Sequence, residues 1–365
     1  METTSERVRR LIEESGITQS AFAERVGIEP TKLSKSLNGT RRFSSTELAL
    51  IGEFARVTVD WLVTGEEMAV ATAARASVGS SSETVLALAQ EYSTMRADLA
   101  TLGYRQGWQL PEPVSLRGSW ISQGQELAES AAKRIVEAGL NVAGDLAGVI
   151  ERVFGIDVAV CELGEGFDGL AVATAEARLI IVDATPIAAR QRFTMAHELC
   201  HLLASDDQQI HTDPDIYSSA SKRGESEVRA NAFAAALLMP EAGMREWLQG
   251  RRLDEALFCE LATELRVSPS ALAYRLENLR LIDVGTRERY RTITGKEAAA
   301  AAAKSTVFAQ AGADSMTPKP PASLVADTFA AYENGQATLR PYAKLLGIDS
   351  RNLRRQFDHV EEAGS

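Results

Sequence analysis

The chain has 365 residues, 24% of them charged, and a formal net charge of −11 at pH 7. This length predicts two or three domains at roughly 100–200 residues each. The acidic balance excludes non-specific coating of nucleic acid through overall charge. No window reaches the ~18 apolar residues of a membrane span, and the N-terminus lacks a signal-peptide pattern. With only three cysteines, we expect a cytoplasmic protein with no membrane partner.

The first predicted elements are about five short helices within residues 1–67. Thr18 caps one helix, which ends at a glycine turn, and Pro30 begins the next, which ends at Asn38-Gly39. With the closing run of residues 59–65, this pattern resembles the Xre/Cro-type helix-turn-helix domain. The resemblance implies an all-α DNA-binding domain whose second motif helix enters the major groove.

The side chains expected to contact DNA lie on that second helix and just after it. They are Thr31, Lys32, Ser34 and Lys35 on its exposed face, followed by Arg41 and Arg42 at the phosphates. Residues 31–42 hold four basic side chains and no acidic one, although the domain as a whole is not basic. Phosphate contacts need only this local face. The alternative is a helical docking module that does not touch DNA.

Residues 68–139 predict a linker and a helical arm. Residues 75–82 are mostly small and polar, which is typical of a flexible linker. Two helices are predicted beyond it, at 83–102 and 125–138, with a proline-containing loop between them. The sequence does not decide whether this arm forms a homodimer or packs within one chain.

Three short apolar runs then predict a small β-sheet. Residues 156–161 indicate a strand, and residues 169–173 and 179–183 indicate a hairpin. Extended peptides can bind as an added strand along a sheet edge. The sequence does not indicate which edge of this sheet is free.

The next predicted helix carries the run His197-Glu198-Leu199-Cys200-His201, an H-E-x-x-H motif. Positions i and i+4 share a helix face, so both imidazoles can bind one metal ion. Imidazole nitrogen suits Zn²⁺, and Glu198 is placed to take a proton from a metal-activated water. The alternative is a surface helix with two solvated histidines. The apolar flanking residues favour a buried helix and therefore a metal site.

A third ligand is expected on the Ala/Leu-rich helix over residues 224–240. Glu227 is favoured over Glu225, because small and apolar residues continue the helix face of Glu227 alone. His211 is the competing ligand and is expected to be a loop residue near the cleft. An acidic first turn is also ordinary helix chemistry, since it complements the helix dipole.

Residues 191–203 and the run from Glu227 to Pro240 resemble the ImmA/IrrE family of zinc metallopeptidases. The resemblance implies a zincin-like domain over residues 140–285. It implies that Zn²⁺ is held by His197, His201 and Glu227, with Glu198 as the general base. It also implies a protein substrate, a helix-turn-helix repressor that is cleaved in response to stress.

Two questions about this site stay open in the sequence. The first is turnover: the alternative is a DNA-binding regulator whose peptidase-like domain senses a signal or partner without cleaving it. The intact H-E-x-x-H motif favours the enzyme, because a sensor does not need Glu198. The second is control, for which Cys161 is the candidate regulatory thiol, as thiolate is a good zinc ligand.

The last part of the chain predicts further helices. Residues 258–276 have helix-turn-helix spacing, and we expect them to pack within the peptidase fold. Residues 286–321 are predicted to be a linker with a local alanine-rich helix. Residues 322–365 predict a final helical unit with another helix, glycine turn and helix. Within it, residues 336–357 carry five basic side chains and one acidic one, which indicates a second nucleic-acid contact, a docking surface or a solvated face.

The overall fold class is therefore predicted to be mainly α with a small β-sheet (α+β).

Overall fold

In a computed structural model, the described residues are 3–55, 62, 80–108, 118–164, 168–206, 216–251 and 253–363. The chain divides into two compact units, residues 1–72 and 73–365. Three predicted features lie wholly or partly outside these residues: His211, most of the closing run 59–65 of the N-terminal domain, and residues 75–79 of the predicted linker.

The N-terminal unit is all-α over its described residues. Its helices are α1 Thr4–Glu14, α2 Gln19–Arg25, α3 Pro30–Leu37 and α4 Ser45–Ala55. Thr18 caps α2 by accepting a hydrogen bond from a backbone amide of its first turn, and Pro30 occupies the first turn of α3. The apolar faces of these helices meet in one core, whose fully buried members include Val8, Phe22, Leu33 and Ile51.

The second unit contains a three-stranded sheet: β1 Asp157–Cys161, β2 Gly169–Ala173 and β3 Arg178–Asp183. The strand order is β1-β3-β2, with β1 parallel and β2 antiparallel to the central β3. The predicted strand and hairpin are therefore confirmed, since β2 and β3 form that hairpin. Ile180, Ile181 and Val182 are buried in succession, which shows that both faces of β3 are covered.

Helices surround this sheet. In chain order they are α5 Ser80–Thr101, α6 Trp120–Glu137, α7 Leu146–Phe154, α8 Ala188–Leu203, α9 Ile216–Leu238, α10 Glu241–Leu248, α11 Glu255–Glu264, α12 Pro269–Asn278, α13 Val284–Tyr290, α14 Gly295–Ala301, α15 Ser305–Met316, α16 Ala322–Glu333, α17 Leu339–Leu345 and α18 Ser350–Ala363. The α+β prediction is confirmed. None of the helices within the described ranges combines the length and the apolar character needed to cross a bilayer.

Two helices, α8 and α9, position the centre of this unit. Helix α8 packs against β2 and β3, and α9 packs against α8 and α6. The packed face of α9 includes Ala230 and Ala234, both fully buried, and such small side chains let two helix backbones approach closely. A single core joins these helices to the sheet, and it includes Leu199, Phe233 and Ile180.

A buried ion pair fixes helix α5 to the sheet and to α16. The Nε and Nη2 atoms of Arg96 on α5 lie 2.5 and 2.6 Å from the two carboxylate oxygens of Asp157 on β1. Its Nη1 atom lies 2.5 Å from Asp327 on α16. A charge that leaves water is costly unless it is paired, and here both carboxylates pair with one guanidinium. Helix α5 is thus a packing element of this unit.

Residues 286–321, predicted to be a linker with a local alanine-rich helix, contain that helix as α14 and also hold most of α13 and all of α15. Thr294 and Glu297 form a capping box at the start of α14, and Ala298 and Ala299 are buried. An alanine run has no polar and apolar alternation, so its buried face was not visible in the sequence. Beyond α15, Lys319 exchanges two 2.9 Å backbone hydrogen bonds with Val160 at the outer edge of β1.

Candidate metal centre

The two histidines of the H-E-x-x-H run lie one turn apart on the buried helix α8. Their Nε2 atoms are 3.1 Å apart and face the same side. The residues between and before them, Ala196, Leu199 and Cys200, are fully buried and hold the helix against the sheet and α9. The helix therefore has no freedom to turn this face away from the site.

Glu227 on α9 completes the cluster. Its Oε2 atom lies 3.1 Å from His197 Nε2, and its Oε1 atom lies 3.4 Å from His201 Nε2. The three side chains offer ligand atoms that all lie within 4.8 Å of one another. Within the described ranges no other three His, Cys, Asp or Glu side chains meet in this way, so Glu225 and Cys161 have no place in it.

The second ring nitrogen of each histidine contacts an oxygen acceptor. His201 Nδ1 lies 2.9 Å from Asp206 Oδ2, and His197 Nδ1 lies 3.2 Å from Asn231 Oδ1. Because an oxygen acceptor requires a donor, Nδ1 carries the proton in each ring and the Nε2 lone pair is free. This arrangement orients both imidazoles toward a common point.

Asp206 is itself held by a buried arginine. Arg229 on α9 donates one hydrogen bond to Asp206 and another, of 3.2 Å, to Gln123 on α6. Its guanidinium also lies 5.0 Å from the ring centroid of Trp120. These contacts connect α6 to the histidines through α9.

The close approach of α6 and α9 depends on Gly124. A Cβ atom at this position would lie 2.4 Å from the Arg229 carbonyl oxygen and 2.9 Å from the Phe233 amide nitrogen. Those are backbone atoms, which cannot move away as a flexible side chain can. Any larger residue at position 124 would therefore push α9, and with it Arg229 and Glu227, away from its present place.

Glu198 lies beside the cluster, between α8 and strand β2. Burial raises its pKa, while His201, His197 and a hydrogen bond from the Ala171 amide of β2 act in the opposite direction. Its carboxyl group therefore adjoins both the two imidazoles and the backbone of a strand. This is the position needed to exchange a proton with a group bound between the cluster and β2.

Strand β2 is the free edge of the sheet over the described residues. It pairs with β3 on one side only, and no other described strand pairs with it. The opposite edge, β1, is bonded to Lys319. The structure thus answers what the sequence left open, because the edge without a partner is the one next to Glu198.

Cys161, the predicted regulatory thiol, lies at the end of β1 on the other side of β3 from β2. Its Sγ atom is 4.0 Å from the Tyr92 hydroxyl of α5. Burial raises the pKa of the Cys161 thiol, which favours the protonated form over the thiolate that binds metal. The structure does not bring this residue to the metal cluster.

The predicted DNA-contact residues lie as expected on α3 and after it. Thr31, Lys32 and Lys35 are exposed and Ser34 is half-buried, while Leu33 beneath them belongs to the core. The two arginines that follow α3 differ from each other: Arg42 is exposed, but a guanidinium nitrogen of Arg41 lies 2.9 Å from the Glu47 carboxylate of α4. Arg41 therefore contributes to the packing of the domain as well as to its basic surface.

The supporting residues of the metal cluster were missed in the sequence. Asn231 follows Glu227 by four residues on the same helix face, which is a signal that could have identified it. Asp206 follows the end of α8, and Arg229 reaches it from α9, so their contact joins residues that no local pattern connects.

Comparison with known proteins finds matches to both the segment that holds the metal cluster and the N-terminal helical domain. Residues 151–277 match the family model described as the IrrE N-terminal-like domain, and residues 8–62 match the helix-turn-helix model. The radiation response metalloprotease IrrE of Deinococcus radiodurans is 34% identical over 102 residues. That match covers 28% of this chain and 31% of the relative, so the chain spans about a third of the relative's length.

The chain thus combines a helix-turn-helix domain with an IrrE N-terminal-like domain, and both resemblances drawn from its sequence are confirmed. The two domains support DNA binding and a metallopeptidase-like function. The cluster of His197, His201 and Glu227 lies within the second matched segment.

Proposed function

We propose that this chain is a zinc-dependent endopeptidase that cleaves a helix-turn-helix repressor under stress and carries its own DNA-binding domain. One observation carries the proposal. Two imidazole Nε2 atoms and one carboxylate converge, each imidazole is oriented through Nδ1, and Glu198 adjoins them. A catalytic metal site requires all of these features together. A surface helix with two solvated histidines would require none of them.

The donor set fits zinc. Two neutral imidazoles and one carboxylate are the protein ligands of many catalytic zinc sites, which leave a fourth position open. Ligands 2.0–2.1 Å from a tetrahedral ion lie about 3.4 Å from one another. The two Nε2 atoms are 3.1 Å apart, and each lies 3.1 or 3.4 Å from a different oxygen of the Glu227 carboxylate. Zinc bound there supplies Lewis acidity, which polarises a carbonyl and acidifies a water.

The chain's own residues account for the remaining chemistry. Glu198 accepts a proton from the attacking water and delivers it to the nitrogen of the departing amine. Asp206 and Asn231 keep the imidazoles oriented, so the chemistry depends on residues that do not contact the substrate.

The free edge of β2 is the proposed binding site for the substrate backbone. An extended peptide added there would form main-chain hydrogen bonds with β2 and lie alongside Glu198. Such pairing selects extended, accessible segments rather than folded ones. A linker or loop of the repressor is therefore the proposed region of cleavage.

The substrate class rests on the family resemblance and on the relative, whose name describes a metalloprotease of the radiation response. A repressor substrate also fits a chain that itself has a DNA-binding domain, because both proteins can meet at one operator. The competing proposal, a regulator that senses a signal without turnover, uses the same metal cluster but assigns no task to Glu198.

The proposal is tested with the full chain and a helix-turn-helix repressor encoded by an adjacent gene. Chelated protein should leave the repressor intact, and added zinc should restore cleavage to two fragments identified by mass spectrometry. Cleavage by metal-free protein would contradict the proposal. So would an intact repressor in the presence of zinc-loaded protein, an outcome that supports the sensor.

A further inference from the structure

The turn between α17 and α18 has the same backbone geometry as the DNA-binding turn between α2 and α3. Each residue of the later motif is numbered 320 higher than its counterpart, as in Gly347 and Gly27. Both glycines have positive φ angles, +65° and +68°. Ile28 donates to the Ala23 carbonyl and Ile348 to the Ala343 carbonyl, each at 2.9 Å.

The buried positions of the two motifs also correspond. Ala23 and Ala343 are 0% and 1% exposed, and they pack the first helix of each motif. Leu33 and Leu353 are 0% and 4% exposed and anchor the second helix. The same side of the second helix therefore faces inward in both motifs, and the opposite side faces solvent.

The exposed side of α18 carries the side chains suited to DNA. The α3 positions predicted to contact DNA correspond to Arg351, Asn352, Arg354 and Arg355, all of them exposed. Arginine pairs in bidentate fashion with guanine and with phosphate, and asparagine pairs with adenine in the major groove. The later motif has three arginines where α3 has Thr31, Ser34 and Lys35, and it has Asn352 where α3 has Lys32.

These arginines are available for a partner. Among the described side chains, none of Arg351, Arg354 and Arg355 forms an ion pair, and Arg355 donates only to Asn352 on the same face. Asp349 accepts hydrogen bonds from the amides of Arg351 and Asn352 at 3.0 and 3.1 Å, so it acts as a helix cap. Over the described side chains, no ion pair neutralises these three arginines.

A third copy of the turn shows that backbone geometry alone does not make such a face. Between α11 and α12, Val267 donates to the Ala262 carbonyl, and Arg266 takes the glycine position with φ +54°. The positions that correspond to the α3 contacts hold Ser270, Ala271, Ala273 and Tyr274. None of these is basic and Ala273 is buried, so this copy packs within the core, as predicted from its sequence.

We propose that α17 and α18 form a second site for duplex DNA, with α18 entering the major groove. The arginines contact guanine edges and phosphates, and Asn352 contacts adenine. Two recognition helices in one chain allow it to hold two DNA segments, or two half-sites, at once, which increases avidity without new contacts. This inference is independent of the peptidase activity.

The two motifs differ in how deeply the apolar residues of the turn are buried. Leu346 and Ile348 are each 37% exposed, whereas the corresponding Val26 and Ile28 are 3% and 5% exposed. The smaller core of the later motif, built on Leu339, Ala343 and Leu353, leaves the turn open. An exposed apolar turn can also contact protein, so a protein partner is the outcome that the experiment must separate from DNA.

The experiment uses the full chain with Lys32→Glu and Lys35→Glu, which silence α3. Fluorescence anisotropy with duplex DNA should still show salt-dependent binding. Adding Arg351→Glu and Arg354→Glu should weaken that binding at least about tenfold and flatten its salt dependence, since each lost phosphate contact removes about 0.9 from the log–log slope.

The matched control makes the same change of charge elsewhere, with Arg105→Glu and Lys296→Glu, two exposed residues outside the three motifs. It should leave binding within about twofold of the silenced parent, and circular dichroism should show equal helix content in all variants. Complete loss of binding on silencing α3 would overturn the proposal. So would equal binding with and without the α18 changes, or α18 changes that only weaken capture of the protein substrate.

Discussion

The metal cluster and the exposed face of α3 are both built from polar side chains, but they are supported in opposite ways. In the cluster, each imidazole contacts a ligand partner on one side and Asn231 or Asp206 on the other. On α3, Lys32 and Lys35 project from a helix that is anchored by the apolar residues beneath it, and the fold does not depend on these two side chains. A change in the surroundings of the cluster should therefore disturb metal binding, whereas a change on the exposed face of α3 should alter DNA binding alone.

The largest expected effect is loss of the metal. Purified protein should hold about one zinc per chain, and His197→Ala and Glu227→Ala should lose most of it, because each removes a ligand from a three-residue site. Elemental analysis after dialysis measures this. Glu225→Ala is the matched control on the same helix and should keep its zinc. Full zinc retention in Glu227→Ala would move the third ligand elsewhere.

Reversing charges on the exposed face of α3 should reduce DNA binding almost as strongly, without destabilising the fold. Lys32→Glu with Lys35→Glu reverses two charges on α3 and should weaken DNA binding by that domain at least about tenfold. Cleavage of unbound repressor should be unchanged, as should the melting temperature within about 1 °C, because exposed substitutions rarely alter stability. A wild-type chain without salt-sensitive DNA binding would make this domain a docking module.

Asp206 is not one of the three metal ligands, but it should still affect zinc binding through its hydrogen bond with His201. Asp206→Ala removes the acceptor of His201 Nδ1 and leaves the buried Arg229 without a partner carboxylate. Zinc affinity should fall about 10–100-fold, measured by competition with a chelating dye. Asp98→Ala, an exposed carboxylate on α5, is the control. Unchanged affinity in Asp206→Ala would show that the imidazole needs no such support.

The smallest effect is expected in the packing behind the cluster. Gly124→Ala places a Cβ against the backbone of α9 and should lower the free energy of unfolding by about 1–3 kcal/mol. Gly224→Ala on α9 is the matched control, because a Cβ there meets nothing within 4 Å. It should raise stability by about 0.5–1 kcal/mol through helix propensity. Equal effects of both changes in urea denaturation would contradict this account of the helix contact.

The same contrast explains how much the sequence could predict. The shared face of His197 and His201 follows from their spacing on one helix, and the choice of Glu227 over Glu225 followed from the face that Glu227 occupies on the next helix. That this second helix supplies the third ligand was expected from the needs of a two-histidine site and from the family resemblance, and the structure brings all three residues together. The cap of α2 and the Pro30 start of α3 are equally local and were predicted. Where one helix determines which side chains share a face, the sequence is sufficient.

Features that depend on contacts between distant segments could not be predicted. The pairing of Asp206 with Arg229, the hydrogen bonds of Lys319 to β1 and the role of Gly124 each join separate elements. Within residues 286–321 the local alanine-rich helix was predicted, but the packing of its buried face was not, because an alanine run shows no polar and apolar alternation. Position along the chain does not reveal which elements will pack together.

The central claim is that Glu198 performs peptide cleavage at a metal cluster, and a single-turnover comparison tests it most directly. The repressor is mixed with an excess of one of three zinc-loaded proteins: the wild type, Glu198→Gln, or the control Glu126→Gln, which changes an exposed residue of α6. The account predicts equal zinc content in all three, a cleavage rate about 10²–10⁴-fold lower in Glu198→Gln, and a wild-type rate in Glu126→Gln. Cleavage by Glu198→Gln at the wild-type rate would contradict it.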